Sequence, residues 1–510
     1  MSDAQTGEDI AQLAKGGRTN VMGFVIRLAG RIPFLIIATR YYGPVLLGRF
    51  ALAVLVIEFA ALVATLGLKR GLAQALEKTG RPHNHVIADA LMVAFFASVI
   101  GTTLLAVFPQ VMFPNSQVTG LEPMLPIVIL ALAWSDVAFS ALAYRHNIGA
   151  QVTARAIVEP WTISIAAFAM TYVSSHDGLI LAYVCSSTGM LIAAMAPLIR
   201  MYGLPHGWKP HPGEMSNLAR RNAPLAGADT IEWGTRNVDR FILGLMFEPR
   251  IVGIYYSVQQ VATLTQKFKS TFDPVLGPVV TRSLGQGDKL SVARQIRQVS
   301  FWIIAVQAAV AIALGVTSDG VMGLFGPQFV AGAGAMCILL SAEVLASPGA
   351  VAESALVYVA RHRNLMISIF TLGLQVALSF AFVEAIRLGG WPVAYQAVGP
   401  ALALATALTM SSIAKTFLLS RMLGASVVSL RPGMLAAMIG AAGTGALISK
   451  LPEWAQLTGG IVAILAVYFA LLFKLAFGPE DRALFKRMPS AKERIDEAFE
   501  EGDEEAPARP

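Results

Sequence analysis

The chain has 510 residues, of which 55% are hydrophobic and 14% are charged, and its formal net charge is +7. A soluble domain has about 25% charged residues, so this composition excludes an ordinary soluble protein and indicates a membrane protein. The positive charge does not indicate nucleic-acid binding, because its excess falls beside apolar stretches, where anionic lipid headgroups are the expected partners. The two cysteines, Cys185 and Cys337, both lie within apolar stretches, which excludes a disulfide framework.

Fourteen apolar stretches follow one another along the chain, and each predicts a transmembrane helix, which needs about 20 apolar residues. The first half contains Asn20–Thr39, Pro44–Leu66, Val86–Phe108, Glu122–Tyr144, Arg155–Ser174 and Gly178–Ile199. The second half contains Ala219–Phe247, Ile251–Val280, Gln298–Thr317, Gly332–Val359, Asn364–Ile386 and Tyr395–Arg421. Two further stretches follow, Gly433–Ser449 and Leu457–Phe477.

The connections divide the chain into predicted units. Residues 1–19 form an amino-terminal segment, 20–199 hold spans one to six, and 219–421 hold spans seven to twelve. The stretch 200–218 is rich in Pro, His and Gly, so we expect a linker there. Residues 430–477 hold spans thirteen and fourteen, and 478–510 form a charged tail with an acidic end.

Basic residues are distributed unequally between the two sides of the predicted spans. With the amino terminus in the cytoplasm, most of the 39 Lys and Arg residues fall in cytoplasmic connections. The opposite connections hold only Arg40, Arg250, Arg387 and Lys450. Cytoplasmic loops of membrane proteins are enriched in Lys and Arg, so we expect both termini to be cytoplasmic.

Charged residues inside the spans are costly in a bilayer and therefore mark candidate functional sites. In the first span, Arg27 and Arg31 share a helix face with Asn20. A structural ion pair, for example between Arg31 and Glu58, is the alternative to a cavity-lining role. Arg49 lies close to the outer end of the second span, where it can also reach the membrane surface.

The seventh span is the most polar of all. Asp229, Glu232, Arg236, Asp239 and Arg240 recur every three or four residues and therefore line one face. A stripe of this kind predicts contact with water or with other charges. The alternative is a self-neutralising ladder, because Glu232 and Arg236 are four residues apart. With Glu58, the acidic residues Asp229, Glu232 and Asp239 are candidates for ion coupling.

The eighth span carries Gln260, Thr263 and Lys267 on one face. Amide and hydroxyl groups suit a polar, sugar-like ligand, and they serve equally well in hydrogen bonds between helices. Elsewhere the sequence has no histidine set with metal-ligand spacing, no phosphate-binding loop ending in Gly-Lys-Ser/Thr and no nucleophile paired with a base. We therefore expect no metal, no cofactor and no catalytic residues.

The two halves share a faint internal repeat. A shift of 205 positions places Pro44 on Pro249, Gly48 on Gly253, Phe50 on Tyr255, and Arg31 on Arg236. We expect these coincidences to lie at the same helix–loop–helix corner of each half. The alternative is a chance match among the many Gly and Pro residues. Repeated bundles with a site between them are a common plan for transporters.

Three segments resemble bacterial polysaccharide flippases of the multidrug/oligosaccharidyl-lipid/polysaccharide exporter superfamily. They are LAKGGRTNVMGFVIRLAGRIPFLIIATRYYGPVLLGRFALA (Leu13–Ala53), RNVDRFILGLMFEPRIVGIYYSVQQVATL (Arg236–Leu264) and LFGPQFVAGAGAMCILL (Leu324–Leu340). The resemblance extends from about Leu13 to Gly424. It implies an all-α integral membrane protein with about 14 transmembrane helices, in which two six-helix lobes surround a central cavity and two helices follow.

The resemblance also implies a function. These flippases move undecaprenyl-pyrophosphate-linked oligosaccharide across the bacterial inner membrane by alternating access, for polysaccharide biosynthesis and export. The expected pyrophosphate-binding residues are Arg27, Arg31, Arg49, Arg236 and Arg240. Asn20, Gln260, Thr263 and Lys267 are the expected sugar contacts. The partners are this substrate, membrane lipids and polysaccharide polymerase or export machinery.

Three other functions are compatible with parts of the sequence. A cation-coupled multidrug-type antiporter predicts an acidic cavity and twelve spans, whereas this chain has many arginines and two extra spans. A membrane-embedded polymerase or ligase would need a large external loop, and the longest external connection, Pro109 to Leu121, is short. An assembly scaffold would leave the arginines within the spans unexplained.

Overall fold

The computed structural model describes residues 26–263, 265, 288–396 and 398–478, with the side chains of 393 and 394 left aside. Within these ranges the protein is helical and contains no β-strand. The predicted all-α class is confirmed. By length and hydropathy, nine helical segments of the described chain can cross a membrane, and one of them, Ile26–Glu77, contains two predicted spans.

Within the described residues, every predicted span falls on a helix. Helices of the first half are α1 (26–42), α2 (Gly43–Ala64), α3 (His83–Val107), α4 (Val128–Tyr144), α5 (148–170) and α6 (Gly178–Tyr202). Helices of the second half are α7 (Pro212–Met246), α8 (249–263 in its described part), α9 (Lys289–Val316), α10 (Ala333–Val359), α11 (Arg361–Leu388) and α12 (Val398–Leu423). The last two are α13 (Pro432–Ile448) and α14 (Ile461–Leu475).

Successive helices run antiparallel because their connections are short. Among the described connections, those rich in Lys and Arg therefore lie at one end of the bundle, which we call the basic face, and the others lie at the opposite face. The linker between the halves is shorter than 200–218, because α6 continues to Tyr202 and α7 begins at Pro212. The linker is fastened to the first half by Trp208, whose Nε1 donates to Asp89 Oδ1 at 2.8 Å.

An amphipathic helix, Leu68–Glu77, follows α2 at the basic face and was not predicted. Its Leu68, Leu72 and Leu76 are buried at intervals of four residues, whereas Lys69 and Arg70 are exposed. The chain enters this helix through Gly67, whose φ of 76° lies in the left-handed region that glycine tolerates. This geometry turns the chain sharply after α2 and places two cations where α2 ends.

The two halves touch at both faces. At the opposite face, α2 and α8 cross at Gly48 and Gly253. At the basic face, the Asn222 side chain of α7 fits against Gly71, where an added Cβ would lie 1.5 Å from Asn222 Oδ1. Helix α7 also packs on α11 and α12 of its own half. Its 35 residues extend over roughly 52 Å, at a rise of 1.5 Å per residue. Helix α7 therefore runs from the contact at the basic face to the opposite face, where α8 follows it.

Candidate functional site

The arginines of α1 face an interior space. Arg31 is exposed and Arg27 is half-buried. Arg31 interacts electrostatically with Tyr256, Glu159 and Glu58, which belong to α8, α5 and α2. A side chain that is exposed, yet surrounded by polar groups of three other helices, points into a gap between helices and not into lipid.

Glu58 of α2 borders the same space. It is exposed, and its electrostatic neighbours include Arg240, Arg31 and Arg155. Among the described residues, Arg31 forms no direct salt bridge, so the alternative of a closed Arg31–Glu58 pair does not describe this conformation. We call the following residues the central cluster: Arg27, Arg31, Glu58, Arg155, Glu159, Arg240 and Tyr256.

Arg240 extends from α7 of the second half into this cluster. Its guanidinium carbon lies 5.6 Å from the centroid of the Tyr256 ring, a cation–π geometry that orients the planar group. The guanidinium also donates to Asn237 Oδ1. Its Nε is buried and has no hydrogen-bond partner among the described residues. A buried N–H of this kind favours a ligand that can accept its hydrogen bond.

Arg155 is a member of the cluster that sequence reasoning missed. It lies in a π-helical turn, Ala154–Val158, inside α5. Such turns occur frequently at functional sites. Arg155 donates to Asp136 and lies 5.6 Å from the centroid of the Phe139 ring, and its buried Nε lacks a partner in the described part of the chain. The available signal was the spacing of Arg155 and Glu159, which share one helix face.

The central cluster brings four guanidinium groups to one space. They face the carboxylates of Glu58 and Glu159, and Arg155 and Arg240 have Asp136 and Asp239 as further acidic neighbours. Guanidinium groups bind phosphate through two parallel hydrogen bonds, and such charge-assisted bonds strengthen where water is scarce. The arrangement therefore suits an anionic, phosphate-bearing ligand that contacts both halves of the protein.

Arg49 occupies a different environment. Its Nε donates to Glu122 Oε1 at 2.8 Å and its Nη2 donates to Glu122 Oε2 at 2.5 Å. The Arg49 side chain is 11% exposed and that of Glu122 is 3% exposed. Its Nη2 donates in addition to the carbonyl of Gln117. Arg49 thus fastens the α3–α4 connection to α2 near the opposite face, away from the central cluster.

The charged stripe of α7 is divided among several partners. Asp229 and Glu232 pair with Arg70 at the basic face. Arg236 pairs with Glu343 of α10 at 3.3 Å, so it does not form the internal ladder with Glu232 that the sequence offered as an alternative. Asp239 is fully buried and accepts a hydrogen bond from Tyr255 Oη at 2.7 Å. From this stripe, Arg240 enters the central cluster.

Of the residues expected to contact sugar, Gln260 and Thr263 are half-buried on α8. The Thr263 hydroxyl donates to the backbone oxygen of Gln260 at 2.8 Å. Both residues follow Tyr256 on the helix, one and two turns farther from the opposite face. Asn20 and Lys267 lie outside the described residues.

Solved structures with this architecture define the class of protein. The structure of the lipid II flippase MurJ in an inward closed conformation matches with a TM-score of 0.66, over 88% of this chain and 98% of that chain, at 11% identity. An inward-facing multidrug resistance MATE family transporter of the MOP superfamily matches with a TM-score of 0.62, over 78% and 98%, at 12% identity. A MOP superfamily transporter from Pyrococcus furiosus matches with a TM-score of 0.53, over 80% and 96%, at 13% identity. The protein is therefore a multi-pass membrane protein with the MOP superfamily fold.

A family model narrows this class. The model described as polysaccharide biosynthesis protein matches residues 14–283, more than half of the chain. The chain belongs to this family, and the resemblance drawn from its sequence motifs is confirmed. No curated protein sequence matches the chain.

Proposed function

We propose that the protein is a flippase that translocates undecaprenyl-pyrophosphate-linked oligosaccharide across the bacterial inner membrane for polysaccharide biosynthesis or export. The basic face is cytoplasmic in this proposal, and both termini lie on that side. The protein moves its substrate and leaves all covalent bonds intact. Polymerase or export machinery would act on the substrate after translocation.

The central cluster is the observation that carries this proposal. A pyrophosphate linked to several sugars cannot cross hydrocarbon unaided, because each buried charge is costly. Arg27 and Arg31 from one half and Arg240 from the other offer guanidinium groups to the same space. The Nε atoms of Arg155 and Arg240 have no hydrogen-bond partner within the described part of the chain, and they are donors that a pyrophosphate would satisfy. Arg49 and Arg236 pair with carboxylates outside the central cluster, Glu122 and Glu343, so we leave them out of the pyrophosphate site.

The remaining polar residues extend the proposed site. Gln260 and Thr263 line α8 on the cytoplasmic side of Tyr256, where sugars attached to a bound pyrophosphate would need hydrogen-bond partners. We also propose Asn20 and Lys267 as sugar contacts, and only the sequence supports that role. Of the carboxylates expected to couple ions, Glu58 is the one exposed to the central space, and we assign that role to it. Asp239, which is fully buried, is assigned a structural role.

Alternating access requires that contacts between the halves break on one side at a time. The tight packing of Gly48 and Gly253 supports a state closed toward the outside. The central cluster would then receive its substrate from the cytoplasmic side, once the contacts at the basic face open. Rocking of the two halves about the cluster would then expose the headgroup to the outer side while the lipid tail stays in the bilayer.

Arginine variants in cells test the proposal. We expect Arg31→Ala or Arg240→Ala to stop polysaccharide export and to accumulate lipid-linked oligosaccharide inside. Loss of a charged hydrogen bond costs about 1.5–3 kcal/mol, which corresponds to roughly tenfold or more in binding. The matched control is Arg387→Ala, which removes an exposed arginine of the opposite face. Normal export by stably expressed Arg31 and Arg240 variants would overturn the proposal.

A cation-coupled multidrug-type antiporter is the second candidate. The exposed carboxylate of Glu58 favours it, because an acidic group facing the central space can bind a cation. Drug resistance in a deletion strain separates the two candidates. The antiporter predicts drug sensitivity that Glu58→Gln fails to rescue, whereas the flippase predicts unchanged drug sensitivity and lost polysaccharide.

A further inference from the structure

An ion-pair bridge joins the two halves at the basic face. Arg70, on the amphipathic helix after α2, places its Nε 2.7 Å from Asp229 Oδ1 and its Nη2 2.7 Å from Glu232 Oε2. Both acids belong to α7 of the second half. The side chains of Arg70 and Glu232 are 50% and 70% exposed, whereas that of Asp229 is 5% exposed. One arginine therefore holds a surface acid and a buried acid of the other half.

The two contacts of this bridge differ in geometry, because Glu232 Oε2 accepts a hydrogen bond from Arg70 Nη2 at 2.7 Å and Asp229 accepts none from the described residues. The contact with Asp229 is an ion pair without hydrogen-bond alignment, since neither Asp229 oxygen makes a hydrogen bond to the described residues. Exposed ion pairs contribute only about 0–1 kcal/mol, because water and salt screen them. A diphosphate offers several oxygens and more than one charge, so it competes effectively for the same guanidinium group.

Further cations connect the bridge to the central cluster. Lys69, next to Arg70, lies 3.6 Å from Asp136 Oδ2. The other oxygen of Asp136 accepts a hydrogen bond from Arg155, which belongs to the cluster. Arg70, Lys69 and Arg155 therefore form a series of positive groups that runs from the basic face into the central space. Each is held by a carboxylate that an anionic headgroup can replace.

We propose that Arg70 is a latch that a diphosphate-bearing lipid headgroup opens from the cytoplasmic side by displacing Asp229 and Glu232. The displaced acids no longer hold α7 to the amphipathic helix, so the halves separate at the basic face. The headgroup then passes Lys69 and Arg155 to reach the central cluster. This inference rests on the proposed flippase function, and it assigns the entry step to residues outside the central cluster.

A cavity beside the latch provides positions for a test. It has a volume of about 380 Å³ and separates the amphipathic helix from the start of α7. Gln74 on one wall and Asn217 on the other are both exposed. Spin labels on Gln74→Cys and Asn217→Cys would report the separation of the walls. The full chain is used in vesicles, with Cys185→Ser and Cys337→Ser as background.

We expect vesicles with undecaprenyl pyrophosphate to lengthen the label distance in the otherwise unchanged protein, and vesicles with undecaprenol to leave it short. Arg70→Gln should give the long distance without any diphosphate. Asp229→Asn combined with Glu232→Gln should do the same, because it removes the other side of the latch. Arg221→Gln, an exposed arginine lining the same cavity, is the matched control and should respond like the unchanged protein.

Three results would overturn the latch. In the first, undecaprenyl pyrophosphate leaves the distance between the two spin labels unchanged. In the second, Arg70→Gln keeps the labels at the short distance. In the third, phosphatidylglycerol lengthens the distance fully, which would mean that bulk anionic lipid opens the latch. Lengthening by inorganic pyrophosphate alone supports the latch and identifies the diphosphate as the recognised group. If translocation depends on Arg31 while the distance between the labels stays fixed, the latch proposal is wrong and the proposed flippase function still stands.

Discussion

Gly48 of α2 and Gly253 of α8 pack against each other's helix in a reciprocal way. A Cβ on Gly48 would lie 1.7 Å from the backbone oxygen of Pro249, and a Cβ on Gly253 would lie 2.0 Å from that of Pro44. The two glycines are related by the same shift of 205 positions as the two prolines. The faint sequence repeat therefore corresponds to a two-fold contact that closes the opposite face of the protein.

Alanine at either glycine should prevent this closure. Because the added methyl group meets backbone and not a flexible side chain, we expect a cost of about 1–3 kcal/mol for the closed arrangement. A cysteine at Glu58, which is exposed to the central space, would then react faster with a membrane-impermeant thiol reagent added from the outside. Gly227→Ala on α7, where an added Cβ meets nothing, is the control. Equal labelling rates in Gly48→Ala and Gly227→Ala would refute this role.

The Arg49–Glu122 pair should stabilise the fold. Removing one partner of a buried pair leaves an uncompensated charge, so we expect Arg49→Gln to destabilise the protein by about 3–5 kcal/mol. Thermal unfolding in detergent measures the loss, and the double variant with Glu122→Gln should recover part of it. Translocation per folded molecule should stay close to that of the unchanged protein. Unchanged stability with abolished translocation would instead place Arg49 in the substrate site.

The Tyr255–Asp239 hydrogen bond should be a second stabilising contact. Tyr255→Phe removes the hydroxyl that donates to a fully buried carboxylate, which should cost about 1–3 kcal/mol. Tyr358→Phe, which alters an exposed tyrosine, is the matched control. If both variants unfold at the same temperature in detergent, the Tyr255–Asp239 hydrogen bond does not stabilise the fold.

The helices could be predicted from the sequence because apolar runs long enough to cross a bilayer must satisfy their backbone hydrogen bonds internally. The amphipathic helix Leu68–Glu77 was missed, since its apolar residues recur every four positions among charges and form no continuous run. The seventh predicted span begins at Ala219, whereas α7 begins at Pro212, because Pro212 begins a polar helical turn that hydropathy alone assigns to a loop.

The candidate site was only partly predictable. Spacing along one helix identified Arg27, Arg31 and the polar face of α7. The partners of these residues depend on how distant helices pack, and sequence spacing does not contain that information. Arg49 and Glu122 are 73 positions apart, and Arg70 and Glu232 are 162 positions apart. Arg155 was predicted to begin the fifth span, whereas the helix begins at 148 and a π-helical turn places Arg155 beside Asp136.

Translocation by purified protein tests the central claim most directly. The protein is reconstituted in vesicles whose inner and outer leaflets can be distinguished, with a fluorescent undecaprenyl-pyrophosphate-linked oligosaccharide. We predict that the unchanged protein moves this lipid between leaflets, and that Arg31→Gln and Arg240→Gln bind it weakly and do not move it. Translocation by both variants at the rate of the unchanged protein would contradict a pyrophosphate site at the central cluster.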